Sequence, residues 1–152
     1  MAFIRVGPED FDLGTEMAAL RAAAGDIGAV ASFIGIVRGG AAAPMTAMTL
    51  EHYPGMTERA IASMAAEAET RFALSACRVI HRTGRIPLGG QIVLVMTACG
   101  HRQAALDATA YLIDWLKVAA PFWKKEHLAD GTDIWVEARN ADDSAAARWQ
   151  TP

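Results

Sequence analysis

Ser75-Ala76-Cys77-Arg78-Val79-Ile80-His81-Arg82 is followed, after Thr83, by Gly84-Arg85-Ile86-Pro87-Leu88-Gly89-Gly90 and then by Gln91-Ile92-Val93-Leu94-Val95-Met96-Thr97-Ala98. The outer runs are rich in β-branched and apolar residues and read as two buried strands. The glycines and proline between them mark a turn-rich connection. It is too short for the crossover helix that parallel neighbours require. Short links of this kind recur along a chain that otherwise alternates strands and helices. The expected class is therefore α+β with a largely antiparallel or mixed sheet, in one domain over residues 1–152.

Outward from that pair, Phe3–Val6 reads as an opening strand and Asp12–Ala24 as a helix stopped by Gly25. Gly28–Val37 is a β-branched run, followed by Arg38-Gly39-Gly40 and small residues up to Pro44. Ala47–Tyr53 is a further strand. Thr57–Phe72 is a helix with Ile61, Met64, Ala65, Ala68 and Phe72 on one stripe. Downstream, Arg102–Ala119 has an apolar face of Ala105, Ala108, Leu112, Trp115 and Leu116. Phe122–Leu128 and Ile134–Ala138 read as a hairpin around Asp130-Gly131, and Asp142–Trp149 as a last helix.

Composition narrows the function. The 152 residues are 53% hydrophobic with a net charge of −3, enough core for one domain and too acidic for a general nucleic-acid or polybasic membrane binder. No apolar run approaches the roughly 20 residues that span a bilayer, and the N-terminus lacks a signal-peptide pattern. A soluble cytoplasmic protein is expected. Cys77 and Cys99 sit within apolar runs without metal-ligand spacing and read as buried thiols. Phosphate-binding glycine loops, a dinucleotide fingerprint and a serine elbow do not occur. The expectation is a site with no metal and no cofactor.

The remaining chemistry is cationic. Arg38 ends a strand beside glycines that let backbone approach a ligand, or else simply faces water. His101-Arg102 opens the long helix, where free N–H groups favour an anion; a capping histidine with a solvent arginine fits equally. Lys117 lies in the last turn of that helix, a position any cation favours. Lys124 and Lys125 point to opposite faces of a strand, Lys124 with Phe122 and Lys125 with Trp123. One of the two is thus drawn inward, where partial desolvation equips a lysine to move protons. Arg139 is a further anion-binding candidate. The pairs Glu51-His52 and His81-Arg82 read as packing or hydrogen-bonding residues.

The segments Thr49-Leu50-Glu51-His52-Tyr53-Pro54-Gly55-Met56, Val79-Ile80-His81-Arg82-Thr83-Gly84, His101-Arg102, Leu116-Lys117, Ala120-Pro121-Phe122-Trp123-Lys124-Lys125-Glu126 and Trp135-Val136-Glu137-Ala138-Arg139 resemble the large, catalytic subunit of molybdopterin synthase. The likeness runs from about Val6 to Trp149. It implies an α/β hammerhead fold with an additional antiparallel β subdomain. It also implies conversion of cyclic pyranopterin monophosphate to molybdopterin. Sulfur would come from the C-terminal thiocarboxylate of a small ubiquitin-like partner whose Gly-Gly tail enters the pocket. A homodimer of large subunits within a heterotetramer follows from the same likeness, each pocket drawing some residues from the neighbouring large subunit. By resemblance Lys117 and Lys124 are the essential lysines, and Arg38, His101, Arg102 and Arg139 bind the anion. The alternatives from residues alone are a scaffold that clasps a ubiquitin-like tail without catalysis, and a lysine Schiff-base enzyme.

Overall fold

Two four-stranded sheets share one core. The chain is seen in a computed structural model that describes residues 1–39, 44–136 and 140–150. Its elements are β1 (Phe3–Gly7), α1 (Leu13–Ala24), β2 (Ala29–Ile36), β3 (Met45–His52), α2 (Met56–Arg71), β4 (Ala76–Arg82), β5 (Gly84–Pro87), β6 (Gln91–Cys99), α3 (Arg102–Val118), β7 (Phe122–Leu128), β8 (Asp133–Trp135) and α4 (Asn140–Ala147). The first sheet runs β1-β4-β6-β2 and the second β5-β3-β7-β8. Only β1 and β4 pair in parallel among the described strands, so the α+β expectation holds.

Alternation along β4 and β6 builds the first sheet's two faces. Ile80, Leu94 and Met96 pack with Phe11 and Leu20 on the α1 side. Val79, Val93 and Val95 pack with Ile61, Ala65 and Leu112 on the other. There α2 covers β1 and β4, while α3 covers β6 and β2. Met45 and Leu50 of β3 and Ile86 of β5 join that same cluster, so the second sheet closes the core.

Local chemistry sets the helix ends. The Asp12 carboxylate accepts from the Thr15 amide at 2.9 Å, and Gly25 leaves α1 with φ 71°, a conformation glycine adopts without strain. At α2 the Gly55 amide donates to the Glu58 carboxylate at 2.6 Å. Between α1 and β4, Arg78 binds Glu16 through Nε at 2.9 Å and through its Nη2.

The connection after Arg82 departs from the expected turn. Gly84–Pro87 is a strand, pairing antiparallel with Thr49 and its neighbours in the other sheet. Ile86 is fully buried there, and Pro87 is tolerated because β5 is an edge strand. One burying side chain outweighs the turn formers around it. The hairpin expected over Phe122–Leu128 and Ile134–Ala138 is present, with Lys125 opposite Trp135 and His127 opposite Asp133. Among the described residues its second strand is Asp133–Trp135; the end of the expected strand, residues 137–138, lies outside the described residues.

Candidate active site

Helix α3 is the ruler of the site. It has 17 residues, so at 1.5 Å per residue Arg102 in its first turn and Lys117 stand about 22 Å apart. Gly100-His101 is a tight connection, and α3 folds straight back along β6. At its start Ala105 packs with Ala31 and Cys99. At its end Leu116 shares a cluster with Val37. The Gly28 amide donates to the Cys99 carbonyl at 3.0 Å, and a Cβ on Gly28 would collide with the Gly100 carbonyl oxygen. That close approach explains the glycine and anchors β2 beside the His101 end.

Arg38 follows Val37, whose amide donates to the Gly90 carbonyl at 2.9 Å. It therefore belongs to the same end of the molecule as Lys117. Both side chains are exposed. His101 and Arg102 are also exposed, but at the opposite end. His101 is the N-cap of α3 and makes no side-chain capping bond, so of the two readings of this pair the capping one loses its support. Arg139 lies outside the described residues.

Lys124 is half-buried on β7, on the same face as Phe122. The Phe122 ring stacks on His81 with centroids 3.8 Å apart. Trp123 and Lys125 take the outer face, with Lys125 Nζ 4.9 Å from the Trp135 ring centroid. Lys124 is thus the inward lysine. The outward one rests on an aromatic face, where a cation keeps its charge.

His81 is where the two sheets meet this chemistry. Burial, followed by the charges of Lys124, Lys117 and His52, pushes its pKa down to about 3, against the opposing effect of its bond to Arg82. The imidazole is neutral at pH 7. Its Nδ1 lies 3.0 Å from the Arg82 carbonyl oxygen; facing an acceptor, Nδ1 carries the proton and Nε2 does not. The field of both lysines reaches this ring, which places Lys117 and Lys124 on one neighbourhood although they come from different elements. His52, opposite Phe122 in the β3–β7 ladder, lies 3.5 Å from Glu58. The sequence reads His81 and His52 as packing or hydrogen-bonding residues, and each has such a partner, Arg82 and Glu58; it does not by itself place them beside the lysines. Their place beside the lysines was signalled only by their proximity, within matched segments, to strand ends.

Pro121 holds the elbow between α3 and β7. Its carbonyl accepts from the Thr57 hydroxyl at 3.1 Å, and the same hydroxyl oxygen accepts from the Tyr53 amide at 3.0 Å. Thr57 is fully buried, so the start of α2 clamps the strand that carries Lys124. Beside this clamp lies a hollow of about 460 Å³ lined by Glu51, His52, Tyr53, Pro54, Trp123 and Trp135. Its rings leave apolar surface open: Tyr53 and Trp135 are both more than half exposed. A second hollow of about 450 Å³ lies between α2, α3 and α4. Its cation, Arg71, is stacked over Tyr111 and Trp149, a structural use.

Both cysteines are free and buried. Burial pushes the Cys77 thiol up to about 12, so no thiolate is available there at neutral pH.

Fold and site together define an α+β protein whose lysines and buried neutral imidazole meet at one end of α3. A family model described as "MoaE protein" matches residues 6–119. The molybdopterin synthase catalytic subunit of Rhizobium meliloti (strain 1021) is 52% identical over 147 residues, covering 96% of this chain and 94% of that one. The solved molybdopterin biosynthesis MoaE protein from Burkholderia ambifaria MC40-6 superposes with a TM-score of 0.84 at 48% identity, covering 100% of both chains. A complex of subunits 1 and 2 of molybdopterin-converting factor from Helicobacter pylori 26695 shares the fold, with a TM-score of 0.72 at 21% identity over 91% of each chain. The chain belongs to the family of molybdopterin synthase catalytic subunits, enzymes of molybdenum cofactor biosynthesis.

Proposed function

We propose that this subunit transfers two sulfurs to cyclic pyranopterin monophosphate, taking each from the C-terminal thiocarboxylate of a small ubiquitin-like partner with a Gly-Gly tail. The observation that carries the reading is geometric: Lys124 shares the inward face of β7 with Phe122, whose ring stacks on the buried His81, and Lys117 sits in the last turn of the helix that leads into that strand. The substrate phosphate and the donor tail are both anions. They approach each other in a partly desolvated site only where cations already stand. Once the sulfur is bonded to the pterin, water adds to the thioester carbonyl of the partner's tail; Lys117 stabilises that tetrahedral oxyanion, or protonates the pterin thiolate as it leaves and the tail departs as a carboxylate. Lys124 serves as acid and base at the pterin carbons. The thiocarboxylate is the nucleophile, so the buried thiols are not needed.

Arg38, His101, Arg102 and Arg139 hold the phosphate. The length of α3 forbids one chain from bringing His101 and Arg102 to its own Lys117. A homodimer within a heterotetramer resolves this: the second copy contributes its helix start to the first copy's lysine end. Residues 1–152 act as one hammerhead-type domain, and the work is done in the cytoplasm. The complex of two subunits from Helicobacter pylori supports a small partner. The ring-lined hollow at Tyr53, Trp123 and Trp135 offers apolar surface beside the lysine strand for that partner's tail.

The test supplies thiocarboxylated partner and precursor to the purified subunit and follows dithiolene formation. Product formed in proportion to enzyme turnover supports sulfur transfer. Tight binding of the partner with no product makes the subunit a scaffold and ends the proposal.

A further inference from the structure

The hollow of about 450 Å³ between α2, α3 and α4 takes no part in the chemistry described above. Glu67 and Arg71 stand one turn apart on α2, and Tyr111 and Trp115 one turn apart on α3, so each pair shares a face. Trp149, just after α4, closes the third side. Lys117 lies about 200° round α3 from Trp115 and points away from this space. Packed helices leave few voids larger than a water molecule. Small-molecule sites, by contrast, offer about 300–1,000 Å³ of mostly apolar space with a few directed polar groups. The hollow is of the second kind.

Its cation is committed. The Arg71 guanidinium lies 5.1 Å from the Tyr111 ring centroid and 5.6 Å from that of Trp149, and its Nη1 donates to the Trp149 carbonyl at 3.0 Å. Asp114 beside it is committed too, accepting from Arg148 and from the Trp149 indole. Glu67 is only half committed. Its Oε1 accepts from the Tyr111 hydroxyl at 2.9 Å. Burial, followed by that bond to Glu67, pushes the Tyr111 pKa up, so the hydroxyl stays a donor. Among the described residues the second Glu67 oxygen accepts no side-chain hydrogen bond, and a carboxylate has room for about four.

The class of occupant follows from these charges. An anion entering the hollow would meet Glu67, and a cation would meet Arg71. A neutral ligand meets neither penalty. The open carboxylate oxygen calls for N–H donors, and the three aromatic side chains call for a flat partner. We propose that this hollow is a second binding site, for a neutral planar ring system carrying the 2-amino-4-oxopyrimidine edge that pterins and guanine share. In that edge a ring N–H and an exocyclic amino group lie side by side, matched to the two oxygens of one carboxylate. Gln150, exposed at the rim, supplies an amide donor for the ring carbonyl. Under the sulfur-transfer reading the site would retain rings of the class the enzyme handles, but the binding itself does not depend on that reading.

Isothermal titration calorimetry of the full chain at pH 7 tests this with pterin, guanosine and adenosine. All three lack phosphate, so the exposed cations at the ends of α3 have no anion to hold. At least one of pterin and guanosine is expected to bind once per chain, and the tighter of them names the source. Adenosine sets an acceptor nitrogen beside its amino group, and is expected to bind about tenfold more weakly or worse. Glu67→Gln, a change at an exposed position, puts an amide NH₂ against the ring donors and should weaken binding by about tenfold or more. Wild-type protein that binds neither pterin nor guanosine, adenosine held as tightly as they are, or Glu67→Gln with unchanged affinity overturns the proposal. The comparison of ligands needs wild-type protein alone, so it decides even if the variant does not fold. Absent ring binding with intact dithiolene production leaves sulfur transfer standing, and intact ring binding by protein that forms no product breaks the sulfur-transfer reading alone.

Discussion

The two ends of α3 carry the same kind of charge and are built in opposite ways. At the C-terminal end Lys117 shares its surroundings with Lys124, His52 and the buried His81, and Phe122 stacks over that imidazole. At the N-terminal end His101 and Arg102 stand exposed, and His101 caps nothing with its side chain. One end is a worked site with packed supports; the other presents cations to whatever approaches. The difference teaches that a helix this long sets its two cationic ends in unlike surroundings, which is why the proposed function assigns them to different pockets.

Breaking the lysine end should have the largest effect. Lys117→Ala and Lys124→Ala are each expected to lower product formation by more than about 10²-fold, the usual scale for a lost acid–base or charge-stabilising group, with partner binding retained. Steady-state dithiolene assays beside a pull-down of the small partner check this; near-normal turnover removes the role assigned to that lysine.

The opposite face of the first sheet, under α1, should respond in stability and not in chemistry. Glu16→Ala strips Arg78 of its partner on the α1 face. A cost of about 2 kcal/mol is expected, below the 3–5 kcal/mol of a fully buried pair because both side chains keep some contact with water. Denaturant melts measure it, and the folded fraction should turn over normally.

His81 sharpens the comparison through pH. Its folded pKa, about 3, lies below the ordinary 6.5, so between those values the unfolded chain holds a proton that the folded chain refuses. The contribution to stability is complete above pH 6.5 and falls by about 1.4 kcal/mol per pH unit as the pH drops towards 3. His81→Asn should show a shallower loss of denaturation midpoint between pH 6.5 and 5 than wild type. Equal slopes would mean that the imidazole is not held neutral.

The smallest effect belongs to the thiols. Cys99 lies at the helix start, its Sγ 3.2 Å from the His101 carbonyl oxygen, and Cys77 is buried in the core. Cys77→Ser and Cys99→Ser should leave the turnover of folded protein unchanged; loss of sulfur transfer would demand a protein thiol in the mechanism.

Much of this was legible in the chain. The β4 and β6 runs announced the sheet because every second residue had to be buried on one of two covered faces. The pairing of Phe122 with Lys124 and of Trp123 with Lys125 announced that one lysine turns inward but not which; the stacking of Phe122 on His81 selects Lys124. The strand at Gly84–Pro87 was hidden because its glycine and proline read as a turn, while the burial of Ile86 that decides it comes from another sheet. The role of His81 was hidden likewise: an apolar strand context predicts burial but not which cations lie across the sheet interface. The separation of His101-Arg102 from Lys117, by contrast, was written in the helix length. Its consequence appears only once the tight Gly100 turn shows that α3 runs straight back along β6.

The central claim is that each site joins the lysine end of one copy to the helix start of another. Mixing decides it most directly. Lys117→Ala and the double variant His101→Ala, Arg102→Ala are each expected to be nearly inactive alone. After subunit exchange at equal concentrations, half the dimers hold one intact site. Product formation should then rise to about a quarter of the wild-type rate. A mixture that exchanges subunits and stays as inactive as its parents would contradict the account.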